Sequence, residues 1–252
     1  MRWRTLDNPY SRPGLYNADC MEAMKHFPDG FFDLAVVDPP YGIGADRFNN
    51  GAGAKDHGGN STAKRLRVND GRGKLRDRRL NQSDCSWDSQ PPSKEYFDEL
   101  RRVSKHQIIW GGNYFQLPPT RGMIVWDKEQ PWENFSQVEL AWTSFDKPAS
   151  LFRYSNTTSA NKDHLNKIHP TQKPTALYEW VLRKYAKPGD KILDTHAGSA
   201  SSLVACYRHG FDAWGFEIDK GYYNAARKRL ADEMAQMTIW TEQNDMINTW
   251  EV

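Results

Sequence analysis

The sequence has few cysteines, no long apolar run and almost no net charge, and each shortage excludes a class of protein. Its three cysteines, Cys20, Cys85 and Cys206, are odd in number and lack the paired spacing of a zinc site, so neither a disulfide framework nor a metal centre is predicted. No apolar run reaches the roughly 18 residues of a membrane span, and the start lacks the apolar region of a signal peptide. We therefore expect a soluble protein of a reducing compartment, with no membrane partner.

The charge that is present is unevenly distributed. The net charge is only +2, but residues 46–80 hold ten Lys and Arg against four Asp, a local +6 that leaves the remaining chain at −4. Six glycines and few large apolar residues argue against a packed core there. Such a stretch can bind nucleic-acid phosphates without selecting a sequence, or it can be a solvated insertion. The candidate phosphate contacts are Arg47, Lys64, Arg65, Arg67, Lys74 and Arg76.

The most informative stretch is DLAVVDPPYG at residues 33–42. The apolar, valine-rich run from Leu34 to Val37 predicts a strand buried on both faces. Asp38 ends that run, and Pro39 and Pro40 prevent strand or helix from continuing. Open α/β sheets bind ligands at this end of a strand, where the carboxylate and the kink's carbonyls can accept both hydrogens of an exocyclic amine while Tyr41 stacks on its ring. The alternative is an ordinary strand-to-loop turn.

Asp-Pro-Pro-Tyr after an apolar strand resembles the catalytic motif of the amino-methyltransferases that act on nucleic-acid bases. The Asp form is similar to the adenine-N6 enzymes, since the cytosine-N4 enzymes more often carry Ser there. The resemblance implies that Asp38, Pro39, Pro40 and Tyr41 are catalytic and that the cofactor is S-adenosylmethionine. It implies DNA as the partner, in the cytoplasm of a bacterial or phage-infected cell, and it suggests a homodimer and a companion restriction enzyme.

A second site is predicted from the residues between 188 and 219. Residues 188–202 give a turn, a strand ending at Asp194 and a loop of small residues, after which a helix follows. Small residues let the backbone approach a ligand at the start of a helix. Glu217 ends the next strand, about twenty residues past the loop, where an acid can accept hydrogen bonds from both ribose hydroxyls. These residues predict a nucleoside site.

The resemblance assigns this site to S-adenosylmethionine and extends it. By resemblance, Asp19 takes the role of the family's acid that contacts the adenine of the cofactor, although an Asp there equally suits a helix N-cap. The segment IHPTQKP at 168–174 resembles a family box that precedes the helix covering the cofactor, with Thr171 and Lys173 near the methionine carboxylate, as an anion at a helix start favours. The full predicted set is Asp19, Cys20, Thr171, Lys173, Asp194, His196, Gly198, Ser199, Ser201, Glu217 and Ile218.

The small-residue loop departs from the commonest family form at two positions. His196 stands where Phe is usual, and Ala200 stands where a second Gly is usual. We interpret His196 as a packing residue, with a contact to the polar tail of the cofactor as the alternative. The departures affect the expected cofactor affinity more than the identity of the cofactor.

Other patterns complete the predicted sheet. A helix is expected from Ser93, and strands at 107–112, 122–128 and 138–143, the last two as a hairpin-like pair near the sheet edge. Asn113, Tyr114 and Phe115 are either base-pocket residues or, as we favour, packing residues. Residues 150–168 are either a short recognition segment or a surface loop. A helix is expected at 222–230, and the segment from 231 to 252 is predicted to be helical and then irregular.

The order of the motifs, with the catalytic strand first and the cofactor loop last, resembles the circularly permuted β group of amino-methyltransferases over about residues 15–230. It implies one class I methyltransferase domain over 1–252, an α/β Rossmann-like fold of seven mostly parallel strands with one antiparallel, and a basic Gly-rich insertion at 45–90. The implied reaction transfers a methyl group to adenine N6 in DNA after base flipping. Cytosine N4, RNA adenine and a non-catalytic DNA-binding subunit stay open.

Overall fold

The computed structural model describes residues 8–43, 66–69, 75–78, 88–130, 136–155 and 167–248, with backbone only for 66–69, 75–78 and the helical residues after 236. Five helices and ten strands lie in these ranges: β1 (Gly14–Asn17), α1 (Cys20–Met24), β2 (Phe32–Val37), β3 (Leu66–Asn69), β4 (Leu75–Arg78), α2 (Lys94–Val103), β5 (Ser104–Trp110), β6 (Met123–Asp127), β7 (Val138–Thr143), β8 (Ser150–Arg153), α3 (Thr175–Tyr185), β9 (Lys191–Asp194), α4 (Ser201–Arg208), β10 (Asp212–Glu217) and α5 (Lys220–Asn248).

Eight of the described strands form one sheet in the order β1-β10-β9-β2-β5-β7-β6-β8. The first five are mutually parallel, so their carboxyl ends meet at one edge, which we call the carboxyl edge. β7 runs against both β5 and β6, and its first residues therefore reach the same edge. The mostly parallel α/β sheet with one reversed strand confirms the predicted fold class.

The expected number of seven strands is wrong, because β8 pairs in parallel with β6 at the end of the sheet. Ser150 is buried there while Leu151 is half exposed, the inverse of an ordinary amphipathic strand. A polar segment with this inverted pattern therefore reads as a loop. β3 and β4 form a separate antiparallel pair in the stretch for which no packed core was expected, and a two-stranded pair by itself is only marginally stable.

The core lies on both faces of the sheet. β2 is buried from Leu34 to Val37, each at most 1% exposed, as a strand covered on both faces requires. α1 and α2 cover one face through residues such as Met24 and Leu100. α3 and α4 cover the other through Leu177 and Cys206. This three-layer packing fixes β2 rigidly and so fixes whatever follows it.

The last helix, α5, extends to Asn248. The expected helix at 222–230 and the helical start of the segment 231–252 are confirmed, whereas the irregular part expected in that segment is wrong as far as Asn248. Among the described residues, no helix combines the length and apolar character that crossing a membrane requires.

Candidate active site

An acid lies at the carboxyl edge on each of four adjacent parallel strands. Glu217 and Asp194 are the last residues of β10 and β9, Asp38 follows β2 directly, and Asp19 follows β1 after one residue. Neighbouring strands are about 4.8 Å apart, so this row of acids extends over about 14 Å. The two sites predicted separately from the sequence therefore lie side by side.

Asp38 is held on both sides of its carboxylate. The Tyr41 hydroxyl donates to Oδ1 at 2.6 Å, and the Lys173 ammonium donates to Oδ2 at 2.5 Å. Lys173 was predicted near the methionine carboxylate of the cofactor, and the structure places its ammonium on the Asp-Pro-Pro-Tyr motif, 3.2 Å from the Tyr41 hydroxyl. Burial raises the pKa of Asp38 above its usual value, and the charge of Lys173 opposes that rise.

Lys173 has a second acidic partner that sequence reasoning missed. Glu139, on the reversed strand β7, lies with Oε2 3.1 Å from the Lys173 ammonium, and its Oε1 lies 2.6 Å from the ammonium of Lys128. Burial would raise the pKa of Glu139, but the two lysines lower it to about 2. The sequence signal was a lone acid within an otherwise apolar strand, VELAWT. We call Asp38, Lys173, Glu139 and Lys128 the charge chain.

The turn after Asp38 depends on two glycines. Gly42 has a φ of +73°, and its N–H donates to the buried carboxylate of Asp88 at 2.8 Å. Gly111, with a φ of +69°, would place a Cβ 2.2 Å from the ring of Tyr41. Tyr114 stacks on that ring at 4.9 Å between centroids and 12° between planes. Two tyrosine rings therefore line the space beside Asp38.

The favoured packing interpretation suits Phe115 but not Tyr114. Phe115 is partly buried against the hydrophobic core, while the Tyr114 side chain is 48% exposed. Asn113 is exposed on the same short turn. Tyr114 is thus an accessible aromatic residue beside the motif.

The small-residue loop at residues 195–200, which we call the cofactor loop, is held by Asp194. Its Oδ1 accepts the N–H of His196 at 3.0 Å, and its Oδ2 accepts the hydroxyl of Ser202. Burial raises the pKa of Asp194 to about 7 and lowers that of His196 to about 4. His196 packs edge to face on Tyr96, in keeping with the packing interpretation. Its Nδ1 lies 2.9 Å from the hydroxyl of Thr195.

Glu217 is oriented by two backbone donors. The N–H of Gly198 donates to Oε2 at 2.9 Å, and the N–H of Asp219 donates to Oε1 at 2.8 Å. Burial raises the pKa of Glu217, against the lowering effect of these hydrogen bonds. The next side chain, Ile218, is 62% exposed. A fixed carboxylate beside an exposed apolar side chain suits a nucleoside, whose two ribose hydroxyls can donate to the carboxylate while its flat base contacts the apolar side chain.

The segment that resembles the His-Pro-Thr-Gln-Lys-Pro box lies against this loop. A Cβ on Gly198 would be 3.7 Å from the ring of His169, and the Nδ1 of His169 is 3.1 Å from the hydroxyl of Thr171. Burial lowers the pKa of His169 to about 3, with the charge of Lys173 acting in the same direction. The box therefore touches the cofactor loop through His169 and the catalytic motif through Lys173.

An arginine that sequence reasoning missed joins three parts of this region. From α5, Arg229 Nη1 donates to the Ser199 carbonyl at 2.9 Å and to the Ser201 hydroxyl at 2.8 Å. Its Nη2 donates to the hydroxyl of Thr175, the first residue of α3, at 2.9 Å. Ala200 lies between the two serines with a φ of +58°, a left-handed conformation that favours glycine.

Asp19 caps α1. Its Oδ1 accepts the N–H groups of Met21 at 2.7 Å and Glu22 at 3.1 Å, so the N-cap interpretation is correct, and Oδ2 takes neither bond. Burial raises the pKa of Cys20 to about 12, which makes this predicted cofactor residue a neutral thiol at the start of the helix.

The predicted phosphate contacts are only partly described. Arg47, Lys64, Arg65 and Lys74 lie outside the described residues, as does most of the expected insertion at 45–90 and of the expected segment at 150–168. Arg67 lies on β3 opposite Asp77, and Arg76 lies on β4 opposite Val68. Where side chains are described, no group of three His, Cys, Asp or Glu residues is arranged to hold a metal ion.

Comparison with known proteins finds DNA methyltransferases. Residues 125–228 match the family model described as DNA methylase. The chain is 35% identical over 86 residues to the type II methyltransferase M.HpaI of Haemophilus parainfluenzae, which is 34% of this chain and 27% of that protein. It is 23% identical to the type II methyltransferase M.HinfI of Haemophilus influenzae over a 267-residue alignment that covers 86% of this chain and 68% of the relative.

Two solved structures share the fold. The complex of M1.HpyAVI with SAM matches with a TM-score of 0.50 at 18% identity, covering 85% of this chain and 98% of that one. The PvuII DNA methyltransferase, described as cytosine-N4-specific, matches with a TM-score of 0.51 at 16% identity, covering 88% and 91%. The chain therefore has the class I methyltransferase fold, and its residues 125–228 are similar to the DNA methylase family.

Proposed function

We propose that this protein transfers a methyl group from S-adenosylmethionine to the exocyclic N6 of adenine in DNA. The observation that carries the proposal is the position of Asp38, at the end of a buried strand and in one row with Glu217. An acceptor for an amine and an acceptor for ribose hydroxyls thus share one edge of the sheet. DNA as the partner is supported by the DNA methylase match of residues 125–228. A homodimer and a companion restriction enzyme stay predictions.

The residues present fit S-adenosylmethionine. Glu217 is fixed through two backbone N–H groups, yet each of its oxygens has a further lone pair for a ribose hydroxyl. Ile218, exposed beside it, would contact the adenine ring, and Asp19, whose Oδ2 takes no part in the cap, would accept from the adenine amine. When bound, this cofactor supplies an electrophilic methyl group on a sulfonium.

The chain's own residues would orient the nucleophile. A base inside a duplex is out of reach, so it must be extruded at a cost of a few kcal/mol. Stacking on Tyr41, in the place that the exposed ring of Tyr114 takes here, would partly offset that cost. Asp38 and the Pro39 carbonyl would then accept hydrogen bonds from the two N–H groups of the amine, which would turn its lone pair toward the methyl group. Lys173 would keep Asp38 ionised despite its burial. The amine would lose its proton late, to Asp38 or to water.

The choice of adenine over cytosine rests on the aspartate of the motif. A cytosine-N4 product would keep the same fold, as the likeness to the PvuII enzyme illustrates, and RNA adenine is a further alternative. A non-catalytic subunit is disfavoured because Asp38, Tyr41 and Glu217 are all present.

The test is to incubate the protein with tritiated S-adenosylmethionine and unmethylated duplex DNA, digest the DNA to nucleosides, and identify the labelled one. We expect label in N6-methyldeoxyadenosine, and we expect Asp38→Ala to reduce it by about a hundredfold or more, as losing one well-placed transition-state partner does. Asp33→Ala is the matched control, since Asp33 lies on the same strand and pairs with Lys105 on the adjacent strand β5. Label on cytosine would overturn the base assignment, and no label on DNA or RNA would overturn the activity.

A further inference from the structure

Glu139 belongs to none of the predicted motifs, yet it is linked to Asp38 through one side chain, that of Lys173. It is the second residue of β7, and because β7 is reversed, its amino end lies at the carboxyl edge beside the end of β5. Lys128 follows the last residue of β6 at the same edge. The reversed strand thus adds an acid from near its amino end to the carboxyl edge, where the parallel strands contribute acids from their carboxyl ends.

We propose that Glu139 is a positioning residue for methyl transfer, which shares the ammonium of Lys173 with Asp38 and so sets both the place and the charge of the catalytic carboxylate. The inference rests on the proposed function and deepens it.

The geometry is a chain of alternating charges drawn from four elements. Lys173 is 2.5 Å from Asp38 and 3.1 Å from Glu139, and Glu139 is 2.6 Å from Lys128. The Lys173 side chain is only 3% exposed, so solvent screens its two ion pairs little. A buried ammonium with two carboxylate partners has a preferred position between them, whereas one partner alone would leave it free to turn.

The other groups around the chain do not duplicate Glu139. Lys173 also faces the rings of Tyr41 and Trp110 at 5.6 and 5.5 Å, and His169, which burial keeps neutral. Asp38 also faces the Tyr41 hydroxyl, and the more distant groups that couple to it electrostatically are Asp194, Tyr96 and Tyr178. Within the described residues, Glu139 is therefore the second anion on Lys173.

Sharing has a chemical consequence for the acceptor. An ammonium bound to Asp38 alone would neutralise that carboxylate most fully and weaken it as an acceptor for an amine. Because Glu139 takes part of the interaction, Asp38 keeps more negative charge while it stays ionised. Lys128 limits the effect, since it holds Glu139 on its other side.

The first test follows the ionisation of Asp38 directly, without activity. In protein labelled with ¹³C at aspartate carboxyls, the Asp38 resonance is assigned by its loss in Asp38→Asn and titrated. Glu139→Gln removes a negative neighbour and should lower the pKa of Asp38. Lys173→Met removes its positive partner and should raise it. Glu129→Gln, at an exposed position just past Lys128, is the matched control and should leave the titration unchanged.

The second test is the pH profile of kcat. The acidic limb should move to lower pH in Glu139→Gln and to higher pH in Lys173→Met, while kcat of Glu139→Gln at neutral pH falls about tenfold because the acceptor is less well placed. KM for DNA should stay the same. A merely structural role would lower thermal stability without moving the limb or splitting kcat from KM.

The outcomes separate the two proposals. An Asp38 titration that is identical in wild type and folded Glu139→Gln overturns the role of Glu139, whatever the activity. A wild type that methylates no nucleic acid overturns the proposed function, while the titration still decides on the charge chain. If Glu139→Gln does not fold, Lys128→Met serves in its place. It should raise the pKa of Asp38, and an unchanged or lowered pKa contradicts the inference.

Discussion

At the scale of single residues, Gly111 shows how a missing side chain lets a neighbouring ring, that of Tyr41, reach Asp38. Its φ of +69° and the 2.2 Å separation between a built Cβ and the Tyr41 ring leave no room for alanine. Tyr41 would have to leave Asp38, and the hydrogen bond between them would be lost. The glycine that follows β5 is therefore part of the site although it contributes no functional group.

We predict that Gly111→Ala lowers the free energy of unfolding by about 2 kcal/mol or more, the sum of left-handed strain and overpacking, and abolishes most methyl transfer. Chemical denaturation and the labelling assay measure the two effects. Gly210→Ala is the control, because Gly210 has a φ of +71° but nothing within 4 Å of a built Cβ. It should cost about 1 kcal/mol from strain alone and leave activity intact. Equal losses in both variants would contradict the steric argument.

The positions of the candidate site residues were best predicted from the sequence where these residues end strands. Asp38, Asp194 and Glu217 follow apolar runs, and the carboxyl ends of parallel strands meet at one edge, so local pattern was sufficient. The contact of Lys173 with Asp38 could not be predicted, because 135 residues separate them and only the closed sheet brings them together. Glu139 was missed for the same reason.

At the scale of elements, Arg229 makes α5 part of the cofactor region. One guanidinium joins the loop at Ser199 and Ser201 to the start of α3 at Thr175. A planar group with several fixed donors can serve three acceptors at once, whereas an ammonium cannot hold the same geometry. The loop's backbone therefore depends on a helix that follows it in the chain.

We predict that Arg229→Met weakens binding of S-adenosylmethionine about tenfold, equivalent to about 1.4 kcal/mol, and that Arg229→Lys has a smaller effect. Isothermal titration calorimetry without DNA measures this directly. Arg227→Met, an exposed position on the same helix, should bind like wild type. Unchanged affinity in Arg229→Met would mean that the loop holds its shape without the arginine.

The elements themselves were predictable where their pattern was regular. The strand at 138–143 was predicted with the bounds that β7 has, since it is a short, mostly apolar segment between polar residues. β8 was missed because its buried residue is a serine and its leucine is exposed. The full length of α5 was not predicted because the polar residues at 241–245 interrupt the recurrence of apolar residues.

At the scale of the whole molecule, charge is segregated along the sequence. The local excess of +6 in residues 46–80 precedes α2, while the rest of the chain is net acidic. A protein of this kind would meet DNA with one part of its surface, and the strength of that binding would depend on salt.

We predict that replacing Lys64, Arg65 and Arg67 with Gln weakens DNA binding and reduces the slope of log K against log salt by up to about 0.9 for each phosphate that is no longer neutralised. Fluorescence anisotropy at several salt concentrations measures the slope. The control makes the same change to Gln at Arg183, Lys184 and Lys187, which lie at the end of α3 and before β9. These residues are at the amino edge of the sheet, opposite the carboxyl edge. The same reduction of slope in both variants would show that only net charge matters.

The pairing of β1 has a consequence for how the protein is made. Gly14 pairs with Trp214, 200 residues later, and the ribosome adds about 5–20 residues per second, so β1 waits roughly 10–40 s for its partner. β9, next to β2 in the sheet, is also synthesised late. β2 can pair with β5 as soon as residue 110 has been made, but its other edge waits for β9 (Lys191–Asp194), and the sheet can close only after β10 has been synthesised. Molecular chaperones that bind apolar strands would act on this protein during that interval.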